Sequence, residues 1–411
     1  MFQQMETDPA GAATEPPAGA CTDPAKTGVV LTGGDFQALG ILRSLARKNI
    51  PVLILESDHC ISRYSICKKR IIKSPPPSRH ADYAHFLMTL ADKEPVEGWT
   101  IFPNSDESVY VLSRYRNMLQ RHYRIPTPGW DVIQHVYIKK NTYTVAEKYG
   151  IPIPRTFFPA GLDELAELKL DYPVVLKPSI RDHYYRQVKT KAYRIDNRAQ
   201  LLETYRKICS VIPASEVLVQ DMIPGGPSRL YSFCPFFKDG KVLASITARR
   251  SRQHPMDFGH ASTFAETADI PELKTLAERF LGLIGYYGIA EVEFMLDHRD
   301  NRFKLIEVNP RFWGWHALAI AAGVDLPHYL FQDMIGQKPI FRKSDPNVKW
   351  LHLTTDIPTV FLEILRGRMT VGDYRASLRG KKQDAVFALD DPLPFIAELC
   401  MIPYLWIKRG F

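Results

Sequence analysis

The sequence predicts a mixed protein in which an α/β N-terminal domain precedes α+β lobes, and two local patterns support this prediction. A short apolar run at 28–34, an amphipathic helix over about 35–48 and a second apolar run at 51–56 form a strand–helix–strand unit, which is typical of a parallel sheet. Farther along, two pairs of strand-like segments flank short turns at 238–240 and 298–301. These pairs predict two β-hairpins.

The composition is that of an ordinary globular protein. The 411 residues are 45% hydrophobic and 24% charged, which excludes a mainly disordered or fibrous chain. No apolar stretch reaches the roughly 18–20 residues of a membrane span, so no stable membrane insertion is expected. The formal charge of +8 is dispersed without a basic, aromatic-interleaved patch, and we expect no nucleic-acid partner. The six cysteines contain no CxxC pair, and the first residues do not resemble a secretory signal, so we expect a cytoplasmic location.

Turn-rich stretches divide the chain into segments. Residues 1–26 are rich in Pro, Ala and Gly, and Pro126, Pro128 and Gly129 mark a later boundary. The predicted segments are a disordered tail at 1–26, a Rossmann-like domain at 27–128, a small lobe at 129–215, a large lobe at 216–340 and a C-terminal extension at 341–411. The extension has no clear period and ends in an apolar stretch. We expect it to pack on the body of the protein, and the alternative is peripheral contact with a membrane surface or a partner.

The second hairpin contains the strongest chemical signal. Glu307 and Asn309 are two residues apart and share one strand face. If the turn is centred on Asp300, Glu293 lies opposite Glu307, and Glu291 lies opposite Asn309. Carboxylates that face each other across a ladder repel, and a divalent cation would remove that penalty. Carboxylate and amide oxygens suit hard ions such as magnesium. The alternative is a solvated face, and the spacing alone does not decide between the two.

Lysines and arginines stand at further suggestive positions. Lys177 ends an apolar strand, where an ammonium group can meet phosphate oxygens or simply extend to water. Lys139 begins a helical stretch, and the alternative to a contact with phosphate is that it lies on a solvated helix face. The arginines near the first hairpin, Arg249 and Arg252, could bind a carboxylate or lie on the surface. Arg311 directly follows the candidate metal ligands, so a surface role is harder to assign to it.

The order of these motifs resembles the ATP-grasp superfamily of carboxylate–amine ligases. Over residues 28–336 the chain has Lys139 before a Gly-Ile-Pro turn, then "PVVLKP", "VLVQDMIPGG", "VEFMLD" and "LIEVNPR". The resemblance implies an ATP-grasp fold, in which a Rossmann-like N-terminal domain packs on two lobes that clamp ATP. It also implies ATP and Mg²⁺ as cofactors, with Mn²⁺ as an alternative ion, and makes a homodimer one arrangement to consider.

The resemblance also assigns roles to residues. Arg311 and Lys177 are the implied catalytic residues, and Arg249 and Arg252 are candidates for binding the substrate. The implied ATP-binding residues are Lys139, Lys177, Lys191, Gln220, Asp221 and Ile223, and the implied metal ligands are Glu293, Glu307 and Asn309.

One departure from the family pattern concerns residues 179–191, where many members have a glycine-rich phosphate loop. This stretch contains no glycine, so close backbone approach to the phosphates is harder. Arg186, Lys189 or Lys191 could supply side-chain contacts instead, and we interpret the stretch as a candidate lid. The departure is similar to a subgroup that includes D-aspartate ligase, as is "NPRFWGW" at 309–315, and it makes biotin carboxylase a poor match.

The implied reaction is the ATP-dependent ligation of a carboxylate to an amine through an acyl phosphate. We expect an amino acid or a small carboxylic acid as the acyl donor, with small-molecule carboxylate and amine substrates as the partners. The alternative is a catalytically inactive nucleotide-binding regulatory protein of the same fold, which the absence of glycine at 179–191 would favour.

Overall fold

The computed structural model describes residues 27–256, 259 and 261–404. The predicted disordered tail at 1–26 lies outside the described residues, and so do the last residues of the apolar C-terminal stretch, 405–411. Within the described part, the predicted combination of α/β and α+β architecture is confirmed.

The N-terminal domain is a four-stranded parallel sheet with the order β3-β2-β1-β4. Its strands are β1 (Val29–Leu31), β2 (Val52–Glu56), β3 (Arg70–Lys73) and β4 (Thr100–Phe102). Its helices are α1 (Phe36–Ala46), α2 (His80–Lys93), α3 (Asp106–Arg114) and α4 (Arg116–Leu119). Asp35 caps α1, since its side chain accepts a hydrogen bond from the amide of Phe36. The strand order reverses between β1 and β4, and ligand crevices of such sheets lie at that reversal.

The small lobe contains a second, antiparallel sheet with the order β5-β8-β6-β7. Its strands are β5 (Thr156–Phe157), β6 (Val174–Pro178), β7 (Tyr193–Ile195) and β8 (Val217–Asp221). Its helices are α5 (Trp130–Tyr137), α6 (Lys139–Lys148), α7 (Leu162–Glu167), α8 (Arg181–Val188) and α9 (Arg198–Cys209). Because β8 pairs with β5 and β6, this sheet extends past the predicted boundary at 215/216.

The large lobe is built on an eight-stranded sheet with the order β14-β13-β9-β10-β11-β15-β16, and β12 pairs with β9. Its first strands are β9 (Leu230–Lys238), β10 (Lys241–His254), β11 (Ala261–Thr267), β12 (Gly288–Ile289), β13 (Glu291–Asp297) and β14 (Arg302–Asn309). Its helices are α10 (Pro271–Leu283), α11 (Ala317–Ala321) and α12 (Leu326–Met334). Short 3-10 helices occur at Ile61–Tyr64, Ala214–Glu216 and Pro227–Arg229. Both predicted hairpins are confirmed.

The C-terminal segment completes the sheet of the large lobe. Its elements are β15 (Val348–Leu351), α13 (Leu353–Leu365), α14 (Val371–Ser377), β16 (Lys381–Asp384) and α15 (Leu393–Cys400). Strand β15 pairs antiparallel with β11, and β16 pairs in parallel with β15. The expectation that this segment packs on the body is confirmed for its described part, where Phe395 and Met401 contact the main core. No helix in the described ranges has both the length and the apolar character that crossing a bilayer would require.

One hydrophobic core joins the N-terminal domain to the large lobe. Buried side chains of α1, including Leu39 and Leu42, belong to the same cluster as Trp313, Trp315 and Trp350 of the large lobe. Burial of large aromatic side chains stabilises such a contact strongly. The carboxyl edge of the parallel sheet is therefore held in place beside the second hairpin.

Candidate active site

A cavity of about 590 Å³ lies where the N-terminal domain, the small lobe and the large lobe meet. The sequence-based ATP, metal and catalytic candidates all line it: Lys139, Lys177, Lys191, Gln220, Asp221, Ile223, Glu293, Glu307, Asn309 and Arg311. The N-terminal domain contributes the start of α1 and the segment that links β4 to α3, at the place where the strand order reverses. Residues that are far apart in the sequence therefore share one site.

The register of the β13–β14 hairpin brings the acidic residues together. Glu293 pairs with Glu307 and Glu291 with Asn309, as the turn position predicts. The ladder is irregular immediately after Glu293, so the register differs on the turn side of that point. The amide nitrogen Nδ2 of Asn309 donates to Oε2 of Glu291 and to Oε1 of Glu293, at 3.0 Å each. The four side chains thus form one contiguous polar group.

Two cations offset the negative charge of this group. The ammonium nitrogen of Lys139 donates to Oε1 of Glu307 at 2.5 Å, and the guanidinium of Arg250 donates to Glu293. Burial alone would raise the pKa of Glu307, but the adjacent Lys139 outweighs this effect and holds the pKa well below its usual range. Arg250 also lies 3.7 Å from Oε1 of Glu291.

The pKa of Glu291 is raised, whereas that of Glu307 is lowered. Burial, together with the neighbouring charge of Glu293, raises the pKa of Glu291 to about 7. Its Oε1 accepts a hydrogen bond of 3.0 Å from the hydroxyl of Ser232 on β9. Glu291 falls outside the family motif, yet it lines the same cavity and contacts Asn309.

Lys177 is held by two polar groups at the end of β6. Its ammonium donates to the hydroxyl of Tyr143 at 3.0 Å and to Oε1 of Gln220 at 2.9 Å. Burial, and then the charge of Lys139, lowers the pKa of Lys177 to about 7. Tyr143 in turn donates to the backbone oxygen of Ile306 at 2.6 Å. Tyr143 was not among the predicted site residues, although it lies four residues after Lys139 on one helix and therefore on the same helix face.

The predicted hinge strand lies along the same wall. Besides contacting Lys177, Gln220 donates through its Nε2 to the hydroxyl of Thr156 at 2.8 Å. Asp221 pairs with Arg155 at 3.2 Å, and Ile223 is buried beside the cavity. The side chain of Gln220 therefore orients Lys177, whereas the adenine-binding role of these residues stays a prediction.

The glycine-free stretch folds as α8 and bridges to the N-terminal domain. Arg186 pairs with Glu107 at 3.0 Å, and Arg181 lies 3.7 Å from Asp106. Among the three phosphate-contact candidates of this stretch, Arg186 and Lys189 do not line the cavity, and Lys191 does. Burial, and then the charge of Arg181, lowers the pKa of Lys191 to about 7. Arg181 itself lines the cavity, and our sequence analysis did not select it.

Arg311 is fixed by an acidic residue of the N-terminal domain. Its Nε and Nη2 donate to Oδ1 and Oδ2 of Asp106 at 2.5 and 3.2 Å. Such a bidentate contact fixes the plane of the guanidinium group. Asp106 begins α3, and this contact could not be predicted from the sequence because it joins residues of two different domains.

The prediction that Arg249 and Arg252 bind substrate requires correction, because neither lines the cavity. Arg249 pairs with Glu266 at 2.5 Å, and Arg252 is buried in an ion pair with Asp356. The register of β10 against β11 shifts between Arg250 and Arg252, so the usual alternation of faces is broken there. Arg250, between the two predicted residues, is the arginine that reaches the cavity.

The oxygen atoms of Glu293, Glu307 and Asn309 fit a shared magnesium site. Across the described ranges, no group of three or more His, Cys, Asp or Glu side chains forms a closed ligand set. The two carboxylates and one amide oxygen instead form an open set. Mg²⁺ is usually held by one or two carboxylates together with substrate phosphates and water, so an open set beside the lysines is suitable.

Comparisons with known proteins agree with this description. Residues 250–337 match the family model "Carbamoyl-phosphate synthase L chain, ATP binding domain". The chain is similar to a D-aspartate ligase from Enterococcus faecium, with 23% identity over 361 residues that cover 82% of this chain and 84% of that protein.

Solved structures share the fold. An L-amino acid ligase from Bacillus licheniformis superposes with a TM-score of 0.58 at 16% identity, over 75% of this chain and 74% of that one. The biotin carboxylase domain dimer of the 2-oxoglutarate carboxylase from Hydrogenobacter thermophilus, solved with MgADP, superposes with a TM-score of 0.62 at 17% identity, over 79% and 73% of the two chains. The fold is therefore shared with a biotin carboxylase domain, and the poor match that the glycine-free stretch at 179–191 predicts stays a prediction. The chain therefore shares the fold of these ATP-grasp structures, and in sequence it is similar to a D-aspartate ligase.

Proposed function

We propose that the protein joins a carboxylate to an amine at the expense of ATP, through an acyl-phosphate intermediate. The observation that supports this proposal is the convergence of Lys139, Lys177 and Arg311 with the carboxylates of the β13–β14 hairpin on one cavity. Phosphoryl transfer requires mainly positioning and charge neutralisation, and these are the functions that such groups can perform.

In this proposal, the triphosphate of ATP lies between the lysines and the hairpin. The ammonium groups of Lys139 and Lys177 neutralise phosphate oxygens. Glu293, Glu307 and Asn309 would hold Mg²⁺, which when bound supplies further neutralisation of the phosphate charge. Lys139 contacts Glu307 directly, so cationic and metal-binding groups lie side by side at the point where the phosphates would sit.

In the first step, an oxygen of the donor carboxylate attacks the γ-phosphorus of ATP. The bond from that phosphorus to the oxygen bridging the β- and γ-phosphates breaks, and an acyl phosphate and ADP are formed. The guanidinium of Arg311, held in orientation by Asp106, stabilises the negative charge on the transferring group.

In the second step, the lone pair of the amine attacks the acyl carbon, and the bond from that carbon to the phosphate oxygen breaks. An amide and inorganic phosphate are formed, and the nitrogen loses a proton. Glu291, whose pKa lies at about 7, can accept a proton near neutral pH. Water must be excluded while the acyl phosphate exists, and we assign this task to the lid candidate at 179–191.

The acyl donor in this proposal is an amino acid or another small carboxylic acid. The similarity to proteins named D-aspartate ligase and L-amino acid ligase supports this class of substrate. Arg250 gives the cavity a guanidinium that can meet a second carboxylate of the donor. The cytoplasmic location and the homodimer remain predictions from the sequence.

The test is a screen for ADP release with amino acids and other small acids, each with and without an added amine. We expect ADP release that depends on one class of acid, and mass spectrometry should detect the corresponding amide. ATP binding without ADP release over the whole panel would contradict the proposal and favour the inactive nucleotide-binding alternative.

A further inference from the structure

Helix α13 has its polar and apolar faces reversed relative to an ordinary surface helix. Its buried side holds Asp356 and Glu363, which are 0% and 3% exposed. Its exposed side holds Ile357, Phe361 and Leu365, which are 54%, 60% and 68% exposed. Surface helices of globular proteins normally turn their apolar stripe toward the core. The folding of this chain therefore does not account for the outward apolar stripe.

The reversed orientation is fixed by buried ion pairs. Asp356 accepts two hydrogen bonds of 2.8 Å from Arg252, whose side chain is only 3% exposed. Glu363 accepts hydrogen bonds from Arg366 at 3.1 Å and from Arg368 at 2.6 Å. Rotating the helix to bury its apolar side would leave the guanidinium of Arg252 buried without its carboxylate, which is strongly unfavourable.

Helix α15 also combines a buried carboxylate with exposed apolar side chains, although its Phe395 packs inward on the main core. Its Glu398 is 0% exposed and its Oε1 lies 2.7 Å from Nε2 of His352, the residue that precedes α13. Its outward side holds Leu393, Ile396 and Leu399, which are 48%, 52% and 46% exposed. The contact of His352 with Glu398 joins α15 to the residue that precedes α13. We refer to the exposed sides of residues 353–368 and 392–404 together as the C-terminal apolar surface.

The charged side chains that the two segments expose are arginines, while the exposed carboxylate of Asp58 accepts a hydrogen bond of 3.0 Å from Tyr404, the last residue of the second segment. Both of its segments are described in full, and neither contains an exposed carboxylate. The exposed residues of the first segment are Ile357, Phe361, Leu362, Leu365, Arg366, Gly367 and Arg368. Apolar side chains flanked by arginines match the chemistry of an anionic bilayer surface, where the apolar groups enter the interface and the guanidinium groups meet lipid phosphates.

We propose that the C-terminal apolar surface binds the surface of an anionic lipid bilayer. A second copy of the chain fits less well, because a two-fold contact brings the same patch from both sides. That patch has no exposed carboxylate to pair with Arg366 and Arg368. The proposal is independent of the proposed ligase activity, since none of these residues lines the cavity.

The test is co-sedimentation of the full chain with vesicles of phosphatidylcholine alone and of phosphatidylcholine mixed in equal parts with phosphatidylglycerol. We expect binding to the mixed vesicles only, and weaker binding at high salt. The double variant Phe361→Ser/Leu365→Ser should lower the partition coefficient by roughly tenfold or more, because two apolar groups are lost. The matched control is Ile340→Ser, at an isoleucine that is 85% exposed outside this surface and should leave the partition unchanged.

Two readouts keep the outcome interpretable. ADP release and thermal unfolding of the double variant should equal those of the wild type, which separates lipid binding from folding and from catalysis. Absence of co-sedimentation of the wild type, or equal partition of the double variant and the control, would overturn the proposal. A wild-type dimer that dissociates in the double variant, without vesicle binding, would show that the surface self-associates instead.

Discussion

Two sets of carboxylates in the large lobe differ in what surrounds them. On β13 and β14, Glu293 and Glu307 face a cavity and contact cations from other elements. On α13 and α15, Asp356 and Glu398 face Arg252 and His352 inside a closed core. Buried charge is therefore not a sign of function by itself. A cavity and several cations from other elements distinguish the first set.

The largest predicted effect is on stability, and it should come from the buried ion pair of Asp356 with Arg252. Replacing Asp356→Asn leaves the guanidinium of Arg252 buried without a counter-charge, and the free energy of unfolding should fall by about 3–5 kcal/mol. Urea denaturation followed by circular dichroism measures this change. The control is Glu266→Gln, which breaks the partly exposed pair with Arg249 and should cost about 1 kcal/mol or less. Equal losses in the two variants would contradict the claim that the buried pair of Asp356 with Arg252 stabilises the fold more than a partly exposed pair.

Substitution of a carboxylate that faces the cavity should lower turnover rather than stability. Glu307→Gln keeps the shape of the side chain but removes a charge that we assign to the magnesium site, so ADP release should fall by about 10²–10³-fold. The fold should remain intact, because Gln can still accept a hydrogen bond from Lys139. Asp300→Asn, in the turn of the same hairpin, is the control and should keep near-normal ADP release. Near-normal turnover by Glu307→Gln would refute the metal assignment.

A smaller effect, on the KM of the acyl donor, should distinguish Arg250 from Arg249 on β10. Arg250→Gln should raise the KM of the acyl donor by about tenfold, the loss of one charge-assisted hydrogen bond. Arg249→Gln should change it by less than about twofold, since that side chain pairs with Glu266 away from the cavity. Steady-state kinetics with varied donor and varied ATP distinguish the two substrates. A larger change in the KM of ATP than of the donor would place Arg250 at the nucleotide instead.

The smallest predicted effect is the uptake of a proton when ATP binds. The pKa of Lys177 is about 7 in the folded protein, against an ordinary value of 10.5. Between these values the unfolded chain binds the proton and the folded chain does not, so this group makes stability rise with pH over that range. Phosphate oxygens favour the charged form, so ATP binding at about pH 8 should take up on the order of one proton.

Titration calorimetry in two buffers of different ionisation enthalpy measures this proton uptake. Lys177→Met should take up less than the wild type, and the pKa of Lys191, also about 7, accounts for what remains. Equal uptake by the variant and the wild type would show that the Lys177 ammonium does not meet the phosphates.

Much of the site could be predicted because its determinants are local. The pairing of Glu293 with Glu307 depends only on the alternation of two strands and on the position of one turn, and both are visible in the sequence. The apolar runs that carry Lys177 and Gln220 likewise identify β6 and β8. Local pattern was therefore sufficient wherever a strand obeyed its regular period.

Other features could not be predicted because they depend on tertiary structure. The irregularity between Arg250 and Arg252 reverses which arginine reaches the cavity, and no residue type marks it. The contact of Arg311 with Asp106 joins two domains. Strand β16 has the sequence Lys-Lys-Gln-Asp, which contains no apolar residue, and it forms because β15 offers it an open edge. Its β-structure comes from backbone pairing rather than from side-chain pattern.

The large sheet is completed by the C-terminal strands β15 and β16, and this has a practical consequence for shortened forms of the chain. Strand β15 is covered on one side by β11 and on the other by β16. A version that stops before Lys381 would expose the backbone amides and carbonyls of β15 as a bare edge, which is a template for intermolecular strand pairing. Fragments cut at the apparent end of the superfamily motifs should therefore precipitate on expression, while versions that extend through Asp384 stay dispersed.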